Sequence, residues 1–213
     1  MTDDTELLQR FVDCFARLDD STFTHDEPPP PELTVGLDPD DWNVIRWRPV
    51  ATETSADALH VFANIGSLPT LYQQLILSHR WLAVDLHLFR LLGNPPATDL
   101  QPLSNLMFSD PVLTQTLVPK GYIRFGLAPN SSYDPICFDL NRFDSDDCPI
   151  VRLEHESILM HDTIGDVTTL FDTFRDLVFA QVFVPHVVQE FGLIGHWLGC
   201  TIKAADQLFC MGL

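Results

Sequence analysis

The chain is predicted to fold as an α+β protein in which a bent, mainly antiparallel sheet packs against helices, and three features of its 213 residues carry that prediction. Short runs rich in β-branched and aromatic residues at 122–127, 135–140 and 150–154 follow one another with only turn-forming loops between them, the spacing of an antiparallel meander. The run from Pro69 to Leu92 is apolar around most of a helical circumference, the pattern of a helix covered on all sides. The hydrophobic set makes up 46% of the chain, enough to give such layers a common core.

Leu7, Leu8, Phe11, Val12, Phe15 and Leu18 recur at helical spacing and predict an amphipathic helix over 4–18 whose apolar face must dock. Residues 19–41 hold eight carboxylates, no Lys or Arg, and the run Pro28 to Pro31, a composition that opposes helix and central strand alike. A linker or surface loop is the expectation there, with a polyproline II ligand as the sharper alternative. NVIRWRPV at 43–50 predicts a strand that ends at Pro49. Ser55 to Asn64 predicts a short helix with Leu59, Phe62 and Ala63 on one side and Gly66 as its stop.

Thr70 and Gln73 stand at capping-box spacing at the start of the long helix, and Gly93, Pro95 and Pro96 stop it. Leu75, Trp81, Leu82 and Phe89 are expected beneath a sheet that contains Ile123, Phe125, Ile136 and Phe138. Asp110 followed by Pro111 gives an N-cap acid and a first-turn proline for a helix through Leu117, ended by Pro119 and Gly121. Thr168 to Val184 predicts a last amphipathic helix with Leu170, Phe171, Phe174, Leu177 and Val178 inside, interrupted at Pro185. The expected division is therefore an N-terminal helix and acidic linker at 1–41, an α+β body at 42–192, and an apolar tail of no evident period at 193–213.

Thirty acidic against 12 basic residues give a formal charge of -18, which repels nucleic-acid phosphates and anionic membrane surfaces. The same field speeds encounter with a basic protein, although charge of this kind also serves plain solubility. Cys14, Cys137, Cys148, Cys200 and Cys210 are odd in number and lack C-x-x-C spacing, so reduced thiols and a cytoplasmic location are expected. The opening MTDDTELLQRF carries no basic region leading into an apolar one, and no uncharged apolar run reaches the roughly 18 residues of a membrane span.

Catalytic chemistry finds little support. His155 and His161 are six residues apart rather than the four that would place two ligands on one helix face. His79, Asp85 and His87 belong to a run expected in the core, where hydrogen-bonded histidines are commoner than ligands. Cys137 lies between Ile136 and Phe138, where a thiol behaves as a small hydrophobe. The sequence has no G-x-S-x-G, no phosphate-binding loop and no G-x-G-x-x-G, so no catalytic residue, metal ligand or cofactor is assigned. The ordinary reading of Asp144, Asp146 and Asp147 is a solvated turn; the functional one is an anionic face for a basic partner. Tyr133 and Asp134, in the loop before the second strand, would add an aromatic anchor, so Tyr133, Asp134, Asp144, Asp146 and Asp147 are the candidate protein-binding residues.

Four stretches, LYQQLILSHRWLAVDLHLFRLLGNPP at 71–96, GYIRFG at 121–126, YDPICFDL at 133–140 and PIVRLEHESIL at 149–159, occur in an order that resembles the SUKH superfamily. That superfamily joins bacterial immunity proteins with fungal Smi/Knr-type cell-wall assembly regulators, and the resemblance covers roughly residues 60–180. It implies an α+β sandwich around a bent sheet and, for many bacterial members, binding and neutralisation of a toxin domain without a shared catalytic set. The acidic stretch 19–41 and the tail after Gly192 have no counterpart in the resemblance. An immunity-type protein that occludes a basic toxin domain is the first expectation, a regulator or scaffold like the fungal proteins the second, and a hydrolase of unrecognised type the third.

Overall fold

Six apolar side chains at helical spacing make the first element. Helix α1 (Asp4–Phe15) buries Leu7, Leu8, Phe11, Val12, Cys14 and Phe15, in the computed structural model that describes residues 3–15, 22–24, 30–37, 44–86, 89–129 and 133–183. Strands β1 (Thr22–Thr24), β2 (Thr34–Leu37) and β3 (Val44–Trp47) form a small antiparallel sheet with β3 in the middle. The acidic, proline-rich stretch is therefore not only linker, because it contributes two strands that pair with β3 and buries Leu33 completely.

Pro49 separates β3 from β4 (Val50–Ala51). A 3-10 helix follows at Ala56–Ile65, capped by the Ser55 hydroxyl and closed at Gly66, as the sequence predicts, although Ala63 faces solvent. Helix α2 (Thr70–Ser78) begins one residue after Pro69 and without the expected capping box, since Pro69 holds the N-cap position and the Gln73 side-chain amide donates to the Leu68 carbonyl, and it ends 14 residues short of Leu92. The predicted long helix is instead α2 followed by β5 (His79–Arg80), β6 (Val84–Leu86) and β7 (Phe89–Leu91). The break has a local cause: the Ser78 hydroxyl turns back onto the Gln74 and Leu75 carbonyls, and His79 adopts extended backbone. Beyond it the side chains alternate, with Val84, Leu86, Phe89 and Leu91 buried and Asp85 and Arg90 exposed, a period of two that a helix cannot bury.

Helix α3 (Gln101–Met107), absent from the sequence reading, precedes α4 (Pro111–Leu117), whose Asp110 carboxylate accepts the Val112 and Leu113 amides. Strands β8 (Tyr122–Leu127), β9 (Pro135–Asp139) and β10 (Ile150–Leu153) match the predicted meander to within one residue at each end. Helix α5 (His155–His161) and strand β11 (Val167–Phe171) come next, and α6 (Phe174–Phe183) is the last described element. Helix was expected from Thr168, but the β-branched pair Thr168 and Thr169 extends along β10 and the helix starts only at Phe174. The tail 193–213 lies outside the described residues.

The class is α+β. Strands β6 to β11 form one antiparallel six-stranded meander in the order β11-β10-β9-β8-β7-β6. One face carries Ile123, Phe125, Ile136, Phe138 and Ile150 against α1, α2 and α6, and the other carries Cys137, Val151 and Leu153 against α4 and α5. Of the eight core side chains anticipated, Leu82 alone is half-buried; the other seven are buried. Glycine at 126 lets β7 approach β8, because a Cβ there would meet the Phe89 ring and the Arg90 carbonyl at 2.8 Å. Helix α1 joins the main core beside α6, and the two are pinned by Arg175, whose guanidinium donates to both Asp4 carboxylate oxygens at 2.8 and 2.9 Å. That bond holds the Asp4 carboxyl below its ordinary value.

Candidate functional site

Three acidic residues of the β9–β10 connection sit on a tight turn. Asp144 and Asp147 exchange backbone hydrogen bonds at 2.9 and 3.1 Å, and Ser145 inside the turn has a left-handed φ of 58°. Asp144 and Asp146 are exposed, but the Asp147 carboxylate turns inward and accepts the amides of Cys148 (2.8 Å), Phe174 (3.0 Å) and Arg175 (3.2 Å). It caps the start of α6, where an anion is favoured by the free amides and by the helix dipole. The Asp146 carbonyl also accepts the amide of Thr70, the first residue of α2, so the turn ties the N-termini of α2 and α6 together. Replacing Ser145 by Gly is expected to raise stability by about 1 kcal/mol, because glycine tolerates the left-handed conformation; thermal denaturation measures it.

Asp134 has a comparable duty at α5. Its carboxylate accepts the His155 amide at 3.1 Å, meets His155 Nδ1 at 2.6 Å, and lies 3.6 Å from Arg152 Nε. The residue at the N-cap position of α5, Glu154, makes no side-chain cap, so the distant Asp134 supplies one. A His–carboxylate pair of this kind is half of a nucleophile-activating triad. Among the described residues no hydroxyl or thiol bonds the His155 ring to complete it.

Tyr133 and Asp134 enter β9 at one end and the 144–147 turn follows it at the other, so the five residues do not share one face. Sequence proximity had joined them; a five-residue strand separates them. Tyr133 instead contacts the first residue of α5. Its ring is 69% exposed and stands edge-on to His155 at 5.9 Å. Leu159 and Met160 project from α5 into solvent, Met160 at 74% exposure, and Val167 is exposed at the start of β11, which pairs with the end of β10. Glu154, Glu156, Asp162 and Asp166, in the same stretch of chain from the end of β10 to the start of β11, are also exposed. Gly165 allows the 162–166 loop to fold back onto α5, since a Cβ there would come within 2.5 Å of the Ser157 hydroxyl. Exposed aromatic and apolar side chains with carboxylates nearby in the chain are the residue types that protein-binding surfaces use.

Buried cations perform the complementary structural task. Arg80 donates to the Ile76 carbonyl at the end of α2, and Arg124 donates to Leu106 and Met107 at the end of α3. Cation and carbonyl ends match, and desolvation pulls both guanidinium groups below their ordinary pKa. Cys137 and Cys148 are buried, and desolvation pushes the Cys148 thiol up to about 12 and Cys137 further in the same direction. Both are therefore expected to resist iodoacetamide in the folded protein and to react once it is unfolded in urea; rapid labelling of Cys137 at pH 7.5 would contradict their burial.

Among the described residues no group of three His, Cys, Asp or Glu side chains converges as a metal ion requires, and no helix is long and apolar enough to cross a membrane. No protein-family model matches the chain, and no curated protein matches it.

Proposed function

We propose that this chain is a non-catalytic protein-binding module of the immunity type, one that binds and neutralises a basic toxin domain in the cytoplasm. The observation that carries the reading is Tyr133, 69% exposed with its ring edge-on to His155 of α5, a helix that also exposes Leu159 and Met160. An aromatic side chain whose position is already set loses little freedom on binding, which suits it as an anchor. The exposed carboxylates of Glu154, Glu156, Asp162 and Asp166 in the α5 segment, and the net charge of -18, favour a basic partner. The resemblance of the motif order to the SUKH superfamily supports the immunity role, and no bound nucleic acid, membrane or cofactor is called for.

The test is affinity capture from the native host, followed by kinetics with the captured partner. Tyr133→Ala should speed dissociation by about 10- to 30-fold while circular dichroism stays unchanged, as expected for a desolvated anchor worth roughly 2 kcal/mol. Glu156→Gln with Asp162→Asn should mainly slow association, and that difference should shrink as salt rises from about 0.05 to 0.5 M. A partner whose two rate constants ignore all three substitutions places the interface elsewhere; turnover of a generic ester or nucleotide lost with one polar residue would replace binding by catalysis.

A further inference from the structure

The six-stranded sheet ends in two edges of different character. Strand β6 is three residues long and carries the exposed charge of Asp85, which discourages further pairing. Strand β11 is five residues long and reads Val-Thr-Thr-Leu-Phe, without charge, proline or glycine, and its first three side chains are exposed. Pairing with β10 occupies one side, from Leu153↔Val167 to Ile150↔Phe171, and among the described residues no other strand flanks it. An uncharged edge of β-forming residues is a template for one more strand.

The charges at its ends say what that strand carries. Exposed carboxylates bracket β11 at Asp166 and Asp172, with Glu154 beside the first. Among the described residues two cations adjoin the strand and each already faces a carboxylate: Arg142, on the Thr169 hydroxyl at 3.2 Å, meets Asp139 at 2.7 Å, and Arg152, opposite Thr168, lies 3.6 Å from Asp134. A second copy of the chain, paired antiparallel about Thr169, would set Asp166 against Asp172 twice over, in a molecule already at -18. A segment with Lys or Arg six residues apart and β-forming residues between them meets both carboxylates.

We propose that β11 docks an extended, cation-flanked segment of the basic partner as a seventh strand of the sheet. This rests on the reading of the chain as a binder of a basic protein, and the edge begins at Val167, opposite Leu153, two residues before the His155 that Tyr133 meets.

The probe is the blocked heptapeptide Lys-Thr-Val-Thr-Val-Thr-Lys, titrated into the full chain by fluorescence anisotropy and by amide hydrogen exchange, with a Glu-ended peptide as control. The Lys-ended peptide should bind saturably and slow exchange in β11, and the Glu-ended one should not. Thr169→Pro should abolish binding; because proline could also disturb the fold, Asp166→Lys with Asp172→Lys serves as the second variant. It should weaken the Lys-ended peptide by about tenfold and transfer the preference to the Glu-ended one. Unchanged exchange in β11, an affinity indifferent to the charge swap, or exchange that slows with protein concentration alongside dimers in sedimentation would overturn the proposal. A captured partner with Tyr133-dependent dissociation would leave the binding function standing even if the peptide fails, and peptide binding without such a partner would do the reverse.

Discussion

Phe138→Ala is expected to destabilise the protein by about 3–5 kcal/mol, a large part of the roughly 5–15 kcal/mol that holds a domain of this kind together. The ring is fully buried, stacks on Phe125 at 4.1 Å and 14°, and meets Tyr72 at 4.9 Å and Phe174 at 5.8 Å edge-on. It thereby joins β9 to β8, α2 and α6, and its removal loses burial, three ring contacts and leaves a cavity those elements can only partly close. Urea denaturation gives the number directly: the midpoint should fall with little change in slope. A loss under about 1 kcal/mol would mean that the core is centred elsewhere.

Asp147→Ala is expected to lose about 2–3 kcal/mol, more than its neighbours on the same turn by a wide margin. Three amides within 3.2 Å of its carboxylate would lose their acceptor, two of them at the start of α6, and helix caps are worth roughly 1 kcal/mol each with further cost for buried amides left unpaired. Asp147→Asn retains one acceptor oxygen and should lose about half as much. Asp144→Asn and Asp146→Asn, whose side chains face solvent, should change stability by less than about 0.5 kcal/mol. Equal losses at all three positions would remove the capping role. A triple neutralisation of the turn therefore mixes folding with encounter, and only Asp144 and Asp146 can report on steering alone.

The parts of this fold that were legible in the sequence are those whose cause is local. Asp110 with Pro111 specifies the start of α4 because cap and helix are adjacent, and β8, β9 and β10 stand out because turn residues bracket each β-branched run. The run from 69 to 92 was misread because leucine-rich segments satisfy a buried helix and buried strands alike when every side chain has a core to face. Its second half did carry the deciding signal, the in–out–in order of Val84, Asp85, Leu86 and of Phe89, Arg90, Leu91. Of the candidate site, Tyr133 was legible as an exposed aromatic. The roles of Asp134 and Asp147 were not, because the helix ends they cap lie 21 and 27 residues away and leave no mark of fixed spacing. Leu159, Met160 and Val167 were missed for a related reason: their exposure depends on which flank of α5 and β11 the sheet covers.

The pairing of α1 with α6 sets an order of events during synthesis. Asp4 and Arg175 are separated by 171 positions, and the Cys14 thiol and the Gln181 carbonyl that it approaches by 167. Helix α1 thus leaves the ribosome long before the helix that covers it, on the order of 10–30 s at ~5–20 residues per second. Through that interval Leu7, Leu8, Phe11, Val12 and Phe15 have no final cover, and the nascent chain presents them as an apolar stripe of the kind that holdase chaperones bind. An element made early is thus among the last to gain its final cover, which comes only with Phe174–Phe183.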